Sequence, residues 1–257
     1  MKKILCFLLI LSFIFTTTVF GDAYSEEESV YEYLRNVGTT EEFLNNTPYE
    51  ELKFLKEKMV NSGKFYEFIN NENEIGLFSN IPSSDMTLTI DAYLVRNQPG
   101  AKVDEVLVIN SFKWLGSKPT IHSKDAIAIN WDSNIFAFQS GSFSHHTYCN
   151  VPGPVDKESM TEEFFLPAKS TQGGLGFYVS TMGDTPNGIT QFTLIPNIEM
   201  NAWKVNNEVK KMTNINTNYV HSVLLPSITI YGVTVSVSGD AASSYLSNTE
   251  SVIYYVK

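Results

Sequence analysis

From Met86 onward apolar and polar residues alternate with a period of two. The pattern runs through MTLTIDAYLV, VDEVLVINSFKW, DAIAINW, NIFAF, LGFYVSTM, ITQFTLI, YVHSVLL, SITIYGVTVSVS and SVIYYV. β-branched and aromatic residues enrich these stretches, which is the signature of strands with one buried face. NQPG, GSKP, NVPGPVD, TQGG, GDTPNG, LIPN and SGD separate them, and glycine, proline, asparagine and aspartate each favour turns. About nine short strands without a long helix between them predict a mainly β domain, an antiparallel β-sandwich over residues 81–257.

The preceding residues, 22–80, follow a helical period. In TPYEELKFLKEKMVNSG, Thr47 stands as N-cap, Pro48 at the first helical position and Glu50 as the return partner of a capping box. Leu52, Phe54, Leu55 and Met59 form an apolar stripe, and Gly63 is placed to end the helix. EEFL after Thr40 reads as a short helical turn, and KFYEFINN as another. Helices this short do not persist alone in water, so their apolar residues are expected to rest on the β domain.

Before them stands MKKILCFLLILSFIFTTTVFG, with Lys2 and Lys3 ahead of an apolar run of about a dozen residues and small residues at Val19 and Gly21. Roughly 20 apolar residues are needed to span a bilayer. Residues 1–21 therefore read as a signal peptide cut after Gly21, and the mature chain as secreted or loosely associated with the cell surface, without a stable membrane span. LPAKS and LPSIT superficially resemble wall-sorting pentapeptides but lack the closing Thr-Gly. Outside the leader only Cys149 remains, which excludes an intrachain disulfide.

The formal charge is −10, and loss of Lys2 and Lys3 makes it −12. Residues 22–80 hold 13 Asp and Glu against 5 Lys and Arg, and residues 81–257 hold 15 against 11. Nucleic acid and anionic lipid are repelled at long range by such a surface and are not expected as partners.

Candidate chemistry concentrates in SFSHHTYC. His145, His146 and Cys149 are metal-ligating residue types, and Cys149 beside a histidine is also a candidate nucleophile. In an extended strand, however, His145 and Cys149 lie about 13 Å apart, whereas zinc ligands stand within about 2.0–2.3 Å of the ion. A site requires a sharp bend before NVPGPVD, or His122 or His221 arriving from another strand. An inert thiol in a sandwich strand is the competing reading.

Other motifs point less far. NWDSN (Asn130, Asp132, Asn134) begins like a calcium loop, but Ile135 and Gly141 occupy the places of its glycine and closing glutamate. Asp132 in a polar turn is the simpler reading. Asn214, Asn216 and Asn218 share one strand face. TQGGLG lacks the lysine and the following helix of a phosphate loop. Adjacent carboxylates such as Glu162 and Glu163 point apart in a strand, so they do not make a glycosidase dyad. Trp114, Trp131 and Trp203 fit either a carbohydrate platform or the core.

FKWLGSKPTIHSKDAIAINWDSNIFAF resembles uncharacterised secreted proteins of Gram-positive bacteria in its Trp-ending strand, proline loop and DAIAINWD segment. The likeness spans residues 86–143 and the plan of leader, helical segment and β domain. It implies export from a Gram-positive cell and a β-rich fold, and it carries no reaction. Taken together, the residues favour a secreted, non-enzymatic β-sandwich protein that binds an unknown extracellular or cell-surface ligand, without deciding whether the chain is catalytic. A secreted hydrolase with a His/Cys or metal site is one alternative. A membrane-active, pore-forming protein is another, on the strength of SITIYGVTVSVSG, whose Ser236 and Ser238 alternate with Val235 and Val237. The cofactor, like the ligand, is left unknown by the sequence.

Overall fold

A computed structural model describes residues 26–47, 49–69, 74–75, 81–82, 84–115, 124–138, 144–149, 159–163, 167–180, 187–196, 211–222, 226–239 and 244–254. The helical segment forms α1 (Glu26–Asn36), α2 (Glu41–Asn46) and α3 (Tyr49–Ser62). The rest is β, and every pairing is antiparallel. One sheet runs β1 (Phe65–Phe68), β3 (Met86–Arg96), β4 (Glu105–Trp114), β11 (Asn187–Pro196), β7 (Ser144–Cys149) and β8 (Ser159–Glu163), with β6 (Phe136–Phe138) also on β11. A second runs β2 (Glu74–Ile75), β15 (Ser244–Tyr254), β12 (Lys211–His221), β5 (Lys124–Asn130), β10 (Gly174–Ser180) and β9 (Lys169–Thr171). A separate hairpin pairs β13 (Ser227–Tyr231) with β14 (Thr234–Ser238).

Alternation along the strands sorts their apolar residues into three clusters. Leu88, Ile90, Val108, Phe112 and Phe192 of the first sheet share one core with Ile127, Ile129, Phe177 and Tyr219 of the second. Phe112 and Tyr219 meet across it with ring centroids 5.3 Å apart. The opposite face of the first sheet, with Tyr93, Val95, Leu107 and Ile109, carries the helices through Val30, Leu34, Phe43, Leu52, Leu55 and Met59. The opposite face of the second sheet, with Ala126, Ala128 and Val220, carries the hairpin through Ile228, Val235 and Val237. The helices thus bury their stripe on the β body, as their length requires.

Several local expectations are corrected. Thr47 does not open α3 with its side chain: its backbone N–H closes α2 onto Phe43, and its buried hydroxyl has no hydrogen-bond partner. Thr40 caps instead, its Oγ accepting from the Phe43 N–H at 3.2 Å. Gly63 does end α3, at a φ of 64°. KFYEFINN is no helix, because Phe65 to Phe68 find a full antiparallel ladder on β3, from Arg96 to Tyr93. SITIYGVTVSVS is two strands rather than one. Tyr231 pairs with Thr234, and Gly232 takes a φ of 60° in the two-residue turn between them, the position and sign a tight hairpin turn asks of glycine. No helix among the described residues is long and apolar enough to cross a membrane.

Candidate functional site

The β13–β14 hairpin is seated on a floor of glycines and mostly small side chains. A Cβ on Gly176 would lie 2.5 Å from Ile228 Cγ2, and one on Gly173 would lie 2.8 Å from the Val233 carbonyl oxygen. The glycines of GGLG thus let the hairpin lie close, its backbone against Gly173 and Gly174 and its Ile228 and Val235 side chains against Gly176. Asn130 then brackets the returning strand: its Nδ2 donates to the Val235 carbonyl at 2.9 Å, and its Oδ1 accepts from the Val235 N–H at 2.7 Å. The Gly173 N–H and the Thr171 hydroxyl both donate to the Val233 carbonyl.

Held this way, the hairpin ends in an apolar tip. Ile230, Tyr231 and Val233 are 45%, 68% and 45% exposed, although turns ordinarily carry polar residues. An exposed apolar cluster on a rigid mount is a recognition feature more often than an accident. The twelve residues Ser227 to Ser238 contain no charged side chain. Sequence alternation points to this strand; it does not reveal the turn, the glycine floor or the role of Asn130.

A second candidate lies at one end of the inter-sheet core. Asp125 accepts hydrogen bonds from the Tyr219 hydroxyl and from His221 Nδ1, the latter at 2.9 Å, and Trp114 Nε1 donates to the Tyr219 oxygen at 3.1 Å. Burial, reinforced by the charge of Asp125, pushes the Tyr219 hydroxyl well above the ordinary tyrosine value of 10.0, so it stays a donor. An Asp–His couple is the geometry of a base and its orienting group. Here Asp125 is fully buried and His221 is 5% exposed, and every partner named belongs to the core. The arrangement links β4 in one sheet to β5 and β12 in the other.

His145, His146 and Cys149 lie in β7, whose backbone runs extended from Ser144 to Cys149. On one side His145 and His146 are in register with Thr190 and Ile189 of β11; on the other they are in register with Glu163 and Glu162 of β8, and Cys149 with Ser159. Their side chains fall outside the described residues, as do His122 and Trp203. His221 is committed to Asp125 rather than to β7. Asp132 caps its own turn, Oδ1 accepting from the Asn134 backbone at 2.9 Å. Among the described residues no group of three or more His, Cys, Asp or Glu could hold a metal. Trp114 and Trp131 are buried in the core, and Asn214 is exposed on β12.

No protein-family model and no curated protein matches the chain. One solved structure, "AvmM Catalyzes Macrocyclization in Alchivemycin A Biosynthesis", aligns with 67% of this chain and 89% of its own, at 9% identity and a TM-score of 0.25. That similarity is too low to inform fold or function.

Proposed function

We propose that the chain is an exported, non-enzymatic β-sandwich protein that binds at or beyond the cell surface through the tip of the β13–β14 hairpin. The observation that carries the reading is the tip itself, three exposed apolar side chains on a hairpin fixed by Asn130 and the Gly173 backbone. Prior fixing matters because a binding element already in its bound shape loses less conformational freedom on association. The single core fed by both sheets supports the sandwich, and the leader pattern supports export.

Two measurements test this. N-terminal sequencing of the protein from culture medium is expected to begin at Asp22; retention of residues 1–21 on an intracellular product would refute export. Fluorescently labelled protein added to intact cells is expected to bind, and the variant Ile230→Ser/Tyr231→Ser/Val233→Ser to bind markedly less. Equal binding by both proteins would remove the tip from the function.

A further inference from the structure

We infer that the occupant of the hairpin tip is a phospholipid interface. This rests on the tip being the binding element and names what it binds. Two observations separate a lipid surface from a protein partner.

The first is charge. The chain carries 28 Asp and Glu against 18 Lys and Arg, yet the hairpin has none of either. The strands packed against it are β5, β9, β10 and β12. In all four the single carboxylate is Asp125, which is fully buried, while the lysines are Lys124, Lys169 and Lys211, of which Lys169 is exposed. The hairpin and these strands therefore present no exposed carboxylate on an acidic protein. The turn that holds the half-buried Asp132 abuts the Gly173–Val233 contact, so one carboxylate stays near the seat; the hairpin and its supporting strands add none to it, and the repulsion expected of the acidic chain is reduced there rather than absent.

The second is size. A stable protein interface covers about 800 Å² on each partner, whereas a fully covered aromatic side chain contributes about 150–250 Å². Ile230, Tyr231 and Val233 fall well short of an interface with a protein or a second copy of this chain. A membrane interface asks for less area: a few apolar groups enter the headgroup region, and tyrosine is favoured there because its ring is apolar and its hydroxyl polar. The flanking Thr229, Thr234 and Ser236 suit a hydrated headgroup layer. The Val233 carbonyl and both backbone groups of Val235 already have partners on the seat, so insertion of the tip leaves fewer backbone groups for the headgroup layer to solvate.

The test is flotation of the mature protein with phosphatidylcholine vesicles, with and without phosphatidylglycerol. The wild-type protein is expected to float with both. Ile230→Ser/Tyr231→Ser/Val233→Ser is expected to lose at least about tenfold in partitioning, given what burial of such side chains contributes. Val60→Ser/Phe65→Ser removes two exposed apolar residues from α3 and β1 instead, and it is expected to partition like wild type. Matching thermal transitions establish that the variants fold. Absence of wild-type flotation, or flotation unchanged by the tip substitutions, overturns the lipid assignment. So does a dimer in sedimentation that the tip variant abolishes, because the occupant is then a second copy. If cell binding depends on the tip while vesicle binding is absent, the binding-element reading stands and the lipid assignment alone is lost.

Discussion

Replacing Asn130 by alanine tests whether the hairpin is mounted as the geometry implies. The substitution removes two hydrogen bonds to Val235, at 2.7 and 2.9 Å, from a half-buried position. Each contributes about 0.5–1.5 kcal/mol net, so the hairpin is expected to lose about 1–3 kcal/mol of docking stability. Its remaining attachment comes from Ile228, Val235 and Val237 on Ala126, Ala128 and Val220, and from the donors to the Val233 carbonyl. The loss is expected to be local, because Asn130 is the last residue of β5 and the shared core does not use its side chain. Native-state hydrogen exchange reads this directly. Exchange of amides between Ser227 and Ser238 is expected to quicken roughly 5- to 150-fold, at tenfold per 1.4 kcal/mol. Amides of β4 and of the β12–β15 ladder should keep their rates. Asn130→Asp keeps the acceptor for the Val235 N–H but loses the donor and sets a carboxylate against a carbonyl oxygen, so it is expected to be at least as damaging. Unchanged hairpin exchange in Asn130→Ala would show that the amide bracket does not hold the hairpin. Equal acceleration in β4 would show that the hairpin is not a separable unit.

The core supplies further predictions. Among the described residues the buried hydroxyls of Thr190 and Thr217 find no hydrogen-bond partner, so Thr190→Val and Thr217→Val are each expected to raise stability by about 1–3 kcal/mol, or roughly 2–4 °C in Tm per kcal/mol; a lowered Tm would mean that the hydroxyls are paired. Asp125→Leu strands the Tyr219 hydroxyl and His221 Nδ1 in the core and is expected to cost about 3–5 kcal/mol in urea unfolding, whereas a cost below about 1 kcal/mol, within the range of an ordinary surface change, would refute the cross-link. Tyr93 and Tyr219 are held well above 10.0 by burial, so the unfolded chain releases those protons first. Their contribution to stability is complete below about pH 10 and falls above it, by about 1.4 kcal/mol per pH unit for each tyrosine. Lys58, lowered by burial from 10.5, tilts the other way below that pH. Tyr219→Phe is expected to flatten the alkaline slope by one tyrosine's share, and an unaltered slope between about pH 10 and 11 would sink the assignment.

The strands are legible in the sequence because β-branched and aromatic runs are bounded by turn residues, although β3, β4 and β11 are buried on both faces, so that alternation gives way to continuous apolar runs such as AYLV and VLVI. Unbroken alternation, in turn, hides the hairpin. In SITIYGVTVSVS the alternation passes through Gly232 with no polar cluster to mark a turn, and those missing polar residues are themselves the proposed binding feature. β1 reads as a helix because four residues carry too little periodicity to choose between helix and strand; the free edge of β3 makes the choice. Thr47 shows the converse, a strong local capping signal that the end of α2 overrides.

Sites depend on what the topology brings together, and a single strand states only half of that. Asp125 opens the DAIAIN strand, but its partners Tyr219 and His221 come from 94 and 96 residues away, and no spacing in the sequence announces them. The doublet His145-His146 makes the same point more sharply. Taken within its strand, two neighbours stand on opposite faces and share nothing. The doublet Glu162-Glu163 fails as a dyad for the same reason. Yet β8 returns antiparallel to β7 and sets Glu163 opposite His145 and Glu162 opposite His146. Two pairs that periodicity dismisses one strand at a time become cross-strand partners in register once the topology is known. For an antiparallel protein, chemistry is therefore better sought in doublets that can face one another across a turn than in the spacing of ligands along one strand.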